Sequence, residues 1–109
     1  MSEKNLLDKL HQYLDDAHAQ DITLIDVRNQ TSVTDYMIIC SGRSSRHVKA
    51  IAEQIMEQMK AQGLPALGST GLDSGDWALI DFGDIVIHVM QPDSRAFYNL
   101  EGLWQEKPQ

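Results

Sequence analysis

Apolar residues recur at two different periods along this chain, and the longer period predicts its helices. Spacings of three and four residues, which place side chains on one helix face, predict a first helix over residues 3–19. The same spacing predicts a second helix that begins at Ser44 or Ser45, since either hydroxyl can accept a hydrogen bond from a free N–H group. Gly63 and Pro65 then end that helix, because glycine tolerates the left-handed conformation and proline cannot continue the helix.

Runs of apolar residues between these helices predict strands. Strands are expected over residues 22–27 and 36–42, with a short edge strand around residues 65–68. The stretch WALIDFGDIVIHVM, residues 77–90, predicts two further strands that form a hairpin. The order helix, two strands, helix, two or three strands, helix indicates an α/β fold in which helices pack on a small mixed β-sheet.

The last strand is expected to end at Gln91-Pro92, because proline cannot donate a hydrogen bond to the sheet. A last helix is then expected to begin at Asp93 or Ser94. Its apolar positions are Phe97, Leu100, Leu103 and Trp104. The chain shows no repeat and no linker, and its length fits one domain over residues 1–109. We expect about residues 3–104 to be ordered and residues 105–109 to form a tail.

The turn of the hairpin is expected at Gly83 and Asp84, because a type II′ turn requires a positive φ at its first central residue. Counting outward from this turn pairs Asp81 with Val86, Ile80 with Ile87, Leu79 with His88, Ala78 with Val89, and Trp77 with Met90. Successive side chains of a strand point to opposite faces. One face is therefore wholly apolar and suits packing against the helices; its members are Ala78, Ile80, Phe82, Ile85, Ile87 and Val89.

The opposite face of the hairpin combines large apolar side chains with polar ones. We call it the mixed face, and its members are Trp77, Leu79, Asp81, Val86, His88 and Met90. Tryptophan and methionine beside a few polar groups are typical of a protein–protein interface. The mixed face is therefore predicted to be a docking surface.

Asp81 and His88 lie diagonally on the mixed face, where a carboxylate and an imidazole can form part of an acid/base site. We favour a hydrogen bond or ion pair that shapes a surface, and keep as the alternative a small metal-dependent nucleotidyltransferase or phosphatase that uses these two residues. The neighbouring carboxylates Asp76 and Asp84 lie at strand ends, and the four histidines lack zinc-ligand spacing. No metal or other cofactor is predicted.

Charge and composition restrict the kind of partner. The net charge is −7, and the nine basic residues form only one local cluster, at Arg43, Arg46 and Lys49. Nucleic-acid binding needs clustered cations, so a basic protein is the expected partner rather than a specific nucleic-acid sequence. The lone cysteine, Cys40, is expected to be a buried, inert thiol. Without a signal core or a run of ~20 apolar residues, the protein is expected to be cytoplasmic and to avoid membranes.

Three segments, TDYMIICSGRSSRHVKAIAEQI, GDWALIDFGDIVIHVM and SRAFYNLEGLW, closely resemble the bacterial ribosomal silencing factor family, which is related to the plant Iojap protein. The resemblance covers about residues 5–104. It implies a nucleotidyltransferase-like fold that lacks the catalytic carboxylate pattern. It also implies a protein that binds the large ribosomal subunit through ribosomal protein fourteen, blocks joining of the small subunit and represses translation. A role in large-subunit assembly is implied as well.

The resemblance and the mixed face together define a predicted partner-binding surface. Its members are Trp77, Leu79, Asp81, His88 and Met90 of the hairpin, with Tyr98, Glu101 and Trp104 of the last helix. Trp77 and Met90 are expected to be anchors, while Asp81 and Glu101 are expected to meet Lys or Arg side chains. For Trp104, packing of the last helix onto the domain is an equal alternative. For the free protein, self-pairing of the mixed face in a homodimer is a further alternative.

Overall fold

The structure, a computed structural model, describes residues 3–32, 34–100 and 102, where it contains five strands and three helices. In chain order these are α1 (Glu3–Asp16), β1 (Gln20–Asp26), β2 (Tyr36–Ser41), α2 (Ser45–Ala61), β3 (Gly68–Thr70), β4 (Trp77–Asp81), β5 (Ile85–Met90) and α3 (Pro92–Tyr98). The strand order is β1-β2-β5-β4-β3. Strands β2 and β5 are parallel, and the other neighbours are antiparallel. The predicted mixed α/β fold and its order of elements are confirmed.

Strands β2 and β5 form the centre of the sheet, where both faces are covered. Nearly every residue of the two strands is buried, as expected for strands with unbroken apolar runs. Helices α1 and α2 pack on one face. The core on that side includes Leu10, Leu14, Ile38, Val48, Ile51, Ile55, Met59, Ile80 and Ile87.

Two side chains fix the start of α2. Ser44 is the N-cap residue, and its Oγ accepts a hydrogen bond from the N–H of His47 at 3.1 Å. Nδ1 of His47 accepts a hydrogen bond from the N–H of Arg43 at 2.9 Å, so its Nε2 carries the proton and donates to the carbonyl oxygen of Ala17 at 3.1 Å. The start of α2 is thereby joined to the chain just after α1.

Replacing Ser44 by alanine is expected to lower the free energy of unfolding by about 1 kcal/mol, because one N–H of the first turn loses its acceptor. For a domain of this size the melting temperature should fall by about 5 °C. Ser45→Ala changes the next residue and leaves the cap in place, so it should alter the unfolding free energy by less than about 0.5 kcal/mol. Equal losses for both variants in thermal unfolding would contradict the capping role.

Several predicted boundaries differ from those observed, and β1, for example, covers Gln20–Asp26 rather than residues 22–27. Helix α1 ends at Asp16 rather than at residue 19, because His18 adopts a φ of +66°, which interrupts a right-handed helix. The edge strand covers Gly68–Thr70 rather than residues 65–68, because only those residues lie opposite β4.

Helix α3 is shorter than predicted. It begins at Pro92, ahead of the predicted start, because the fixed φ of proline suits the first helical position. It ends at Tyr98, because the next residue, Asn99, has a left-handed conformation with φ of +49°. Leu103 and Trp104 lie outside the described residues. Within the described ranges, no helix combines the length and the apolarity needed to cross a membrane.

A second apolar core lies on the sheet face away from α1 and α2. It consists of Ile25, Val27, Met37, Ile39 and Met90, with Trp77 and Leu100 packed against it. This second core therefore supports Trp77 and Leu100, which pack on it.

Candidate partner-binding surface

The hairpin of β4 and β5 has the predicted register. The opposed residues are Trp77 with Met90, Ala78 with Val89, Leu79 with His88, Ile80 with Ile87, and Asp81 with Val86. Gly83 has a φ of +89°, a left-handed conformation that glycine adopts at little cost. Oδ1 of Asp81 accepts a hydrogen bond from the N–H of Gly83 at 2.8 Å and stabilises the turn. The two faces of the hairpin are therefore those predicted.

The apolar face of the hairpin packs against the helices, as predicted. Its buried members are Ala78, Ile80, Ile85, Ile87 and Val89, and Phe82 packs against them while half-buried. This burial fixes the register, because a shift by one residue would move all of these side chains to the opposite face and away from the helices.

The mixed face is buried to very different depths. Met90 is 0% exposed and His88 is 5% exposed, whereas Trp77, Leu79 and Asp81 are half-buried. The expectation that Met90 presents an anchor at the surface is wrong, because β5 lies at the sheet centre and Met90 belongs to the second core. Met90 and His88 support the surface from beneath.

A hydrogen bond joins the two aromatic heterocycles of the mixed face. Nε1 of Trp77 donates to Nδ1 of His88 at 2.8 Å. Because Nδ1 is an acceptor, His88 is neutral and its proton lies on Nε2. Burial lowers the pKa of His88 to about 4, since the charged form would lose its hydration. At neutral pH, His88 is therefore a fixed acceptor that orients the indole of Trp77.

Helix α3 adds two aromatic rings beside Trp77. The rings of Trp77 and Tyr98 have centroids 4.7 Å apart, and Phe97 packs edge-on against Tyr98 at 5.1 Å. Tyr98 is 52% exposed and Phe97 is 81% exposed. We call Trp77, Phe97 and Tyr98 the aromatic ridge. The predicted exposure of Tyr98 is confirmed, and Phe97, an apolar position of the predicted helix, is exposed as well.

Arg95 holds α3 on the sheet. Its Nη1 donates to Oγ of Ser41 at 2.8 Å, and its Nη2 donates to Oγ1 of Thr23 at 3.1 Å. Ser41 is only 2% exposed, so this contact satisfies a buried hydroxyl and fixes α3 across β1 and β2. Sequence reasoning missed this role, since the three residues are far apart along the chain.

The left-handed residue Asn99 is the local signal that limits the last helix, since asparagine tolerates this conformation better than most residues. Glu101 and Trp104, which were predicted to extend the surface, lie outside the described residues.

The expected hydrogen bond or ion pair between Asp81 and His88 is wrong, because each side chain has a different partner. The Asp81 carboxylate accepts from the turn N–H of Gly83, and His88 accepts from Trp77. Among the described residues, no group of three His, Cys, Asp or Glu side chains is arranged to hold a metal ion. The geometry gives no observation in favour of the metal-dependent enzyme alternative. Burial raises the pKa of the Cys40 thiol to about 12, so this residue stays an un-ionised part of the core.

The full length of the chain matches a known family. The family model described as "Ribosomal silencing factor during starvation" covers residues 1–109. The chain belongs to the ribosomal silencing factor family. The resemblance seen in three sequence segments is thereby confirmed.

Relatives of known name are similar over most of the chain. Ribosomal silencing factor RsfS of Bacillus subtilis (strain 168) is 39% identical over 108 residues, which are 99% of this chain and 92% of that protein. The Mus musculus protein named "Mitochondrial assembly of ribosomal large subunit protein 1" is 38% identical over 101 residues, which are 90% of this chain and 44% of that protein. A Chromobacterium violaceum crystal structure matches with a TM-score of 0.93 at 37% identity, covering 100% of this chain and 92% of that one.

Membership of the ribosomal silencing factor family establishes a ribosome-associated silencing role and places this chain in translation regulation. The family name describes a regulator rather than an enzyme, which agrees with the separate contacts of Asp81 and His88. The structural question is therefore which surface meets the ribosome.

Proposed function

We propose that this chain represses translation by binding the large ribosomal subunit through ribosomal protein fourteen and sterically blocking the small subunit. The observation that carries the proposal is the aromatic ridge, in which the tilted rings of Trp77 and Tyr98 pack together and stay partly exposed. Aromatic side chains give large contact areas with few rotatable bonds, and they supply much of the energy of many interfaces. The mouse relative, whose name refers to large-subunit assembly, supports the choice of subunit.

The ridge is ordered before any partner arrives. His88 fixes the indole of Trp77 from below, and Arg95 fixes the helix that carries Phe97 and Tyr98. Binding to such a surface loses little side-chain entropy, so more of the contact energy is available as affinity. A preorganised ridge above buried supporting residues suits a docking surface.

The surroundings of the ridge suit a basic partner. Leu79 and Asp81 lie half-buried on the same sheet face as Trp77, and the chain as a whole carries a net charge of −7. A ribosomal protein rich in Lys and Arg would meet Asp81, and also Glu101 if the predicted extension of the surface holds. Trp104 remains a predicted contact of the same extension.

The mechanism requires no bond to be made or broken. Occupancy of the inter-subunit surface is sufficient, because a folded domain there excludes the small subunit. Repression should therefore rise with the fraction of large subunits that carry the protein, and it should be reversed when the protein dissociates.

Sedimentation of purified ribosomal subunits with added protein tests this proposal. We expect the protein to co-migrate with the large subunit and the peak of joined ribosomes to fall as its concentration rises. Co-migration without a fall in joined ribosomes would refute steric blocking. Absence from the large-subunit fraction would refute the binding proposal itself.

The partner and the oligomeric state need separate measurements. Purified ribosomal protein fourteen should bind the protein directly, and aromatic-ridge variants should weaken that complex. The mass of the free protein, measured over a range of concentrations, should be that of a monomer at the concentrations at which it binds large subunits. A homodimer that persists on addition of subunits, with the ridge buried in its interface, would favour the self-pairing alternative.

A further inference from the structure

The first two turns of α2 and the residues before them carry a cluster of cations on an acidic protein. Three of the nine basic residues of the chain lie there, and we call Arg43, Arg46 and Lys49 the basic cluster. Arg43 and Arg46 are exposed, and Lys49 is half-exposed. Arg46 and Lys49 are three residues apart on one helix face and line the same shallow hollow.

The basic cluster has no carboxylate partner within the described part of the chain. The ion pair found there joins Arg28 to Asp26 at 2.6 Å, at a different place. Glu53 borders the hollow of Arg46 and Lys49 without forming an ion pair with either. In a chain with 16 acidic residues, three neighbouring cations without ion pairs are left available for an external anion.

The position of the basic cluster does not serve helix stability. Cations near a helix N-terminus are unfavourable, because the first N–H groups already give that end a partial positive charge. Helix α2 has no acidic residue in its first turn to offset them. His47, which directly follows Arg46, contacts the carbonyl oxygen of Ala17 and accepts from the N–H of Arg43, so it fixes the backbone that carries both arginines. Cations at a position that lowers helix stability, on a backbone that His47 holds in place, indicate that the basic cluster binds an anion.

The basic cluster lies at the same end of the sheet as the aromatic ridge, on the opposite sheet face, and the loop before Trp77 connects the two. A side chain at Gly75 would come within 3 Å of Ser45, so the loop before Trp77 touches the start of α2. The side chain of Gln91 then ties this loop to the start of α3, donating to the carbonyl oxygen of Gly75 at 3.1 Å. A partner surface that extends past the ridge over this loop reaches the basic cluster.

We propose that the basic cluster binds phosphate groups of ribosomal RNA in the large subunit, beside the protein contact of the aromatic ridge. This inference rests on the proposed function. Phosphates are the anions that a subunit presents most densely, and such contacts are independent of base sequence. Three cations are too few to hold free RNA, so the cluster adds affinity and orientation to a contact that the ridge establishes.

A charge-matched pair of variants tests the inference. Arg46→Gln/Lys49→Gln removes two cations of the cluster, and Lys9→Gln/Lys60→Gln removes two cations from other parts of the helical layer. We measure the Kd for intact large subunits at several salt concentrations. The cluster variant should bind about tenfold more weakly at low salt, and its log–log salt slope should be shallower by about 1.4, which is roughly 0.7 for each of the two lost phosphate contacts. The control should keep the natural affinity and slope.

Binding to isolated ribosomal protein fourteen separates RNA from protein as the target. The cluster variant should bind that protein as tightly as the natural chain does. Equal weakening toward the isolated protein would overturn the inference, as would equal effects of the control variant or an unchanged salt slope. If the natural chain fails to bind large subunits at all, the proposed function fails instead, and the two failures are thus distinguishable.

Discussion

Replacing Trp77 by alanine is expected to weaken binding to the large ribosomal subunit about thirtyfold or more. Truncating an aromatic anchor at the centre of an interface costs ~2 kcal/mol or more, which corresponds to that factor in Kd. Here the truncation removes the indole itself and also the ring against which Tyr98 packs. The measurement is a titration of labelled protein against large subunits, together with subunit sedimentation.

Trp77 also contributes to the fold, so the binding experiment needs folded variants. Its Nε1 donates to His88 and its ring packs against the second core, so Trp77→Ala is expected to be less stable as well. Tyr98→Ala removes a ring that is 52% exposed, and it should weaken binding with little loss of stability. Leu24→Ala provides a matched control, since Leu24 is 49% exposed and its cross-strand partner Ile38 packs on the helix side of the sheet. Natural affinity in folded Trp77→Ala and Tyr98→Ala proteins would refute the ridge as the anchor.

Acidification from neutral pH to about pH 4 is expected to destabilise the natural chain by about 3 kcal/mol more than a His88→Asn variant. The pKa of His88 is about 4 in the folded protein, against the ordinary 6.5. A shift of this size corresponds to about 3 kcal/mol, at 1.36 kcal/mol for each pKa unit. Between about pH 6.5 and pH 4, the imidazole of His88 is therefore protonated in the unfolded chain and neutral in the folded chain. The stability is fully present above about pH 6.5 and is lost as the pH falls toward 4.

Chemical denaturation of both proteins at pH 7 and near pH 4 measures this difference. Asparagine keeps an acceptor near the position of Nδ1 and does not titrate, so the carboxylate contributions common to both proteins cancel. His11→Asn is the control, because His11 is exposed on α1, and it should follow the natural chain. Parallel pH dependences of the natural chain and His88→Asn would show that His88 is not held neutral by burial.

The sequence by itself determined the elements and the hairpin. The helical spacing and Ser44 located α2, and the alternation on both sides of Gly83 determined which residues of β4 and β5 share a face. These features are local, because a helix cap, a turn type and a period of two depend on residues close along the chain. A one-residue shift would have exchanged the wholly apolar face with the mixed face, so the register could be predicted without the tertiary structure.

Only the tertiary structure decided how deep each residue of the mixed face lies. Placing β5 between β2 and β4 puts Met90 and His88 in the covered centre of the sheet, while Trp77 and Tyr98 remain at its surface. The contacts that fix this arrangement join residues far apart in sequence, as Arg95 does with Ser41 and Thr23. Periodicity specifies which way a side chain points, whereas burial depends on which distant segments cover it.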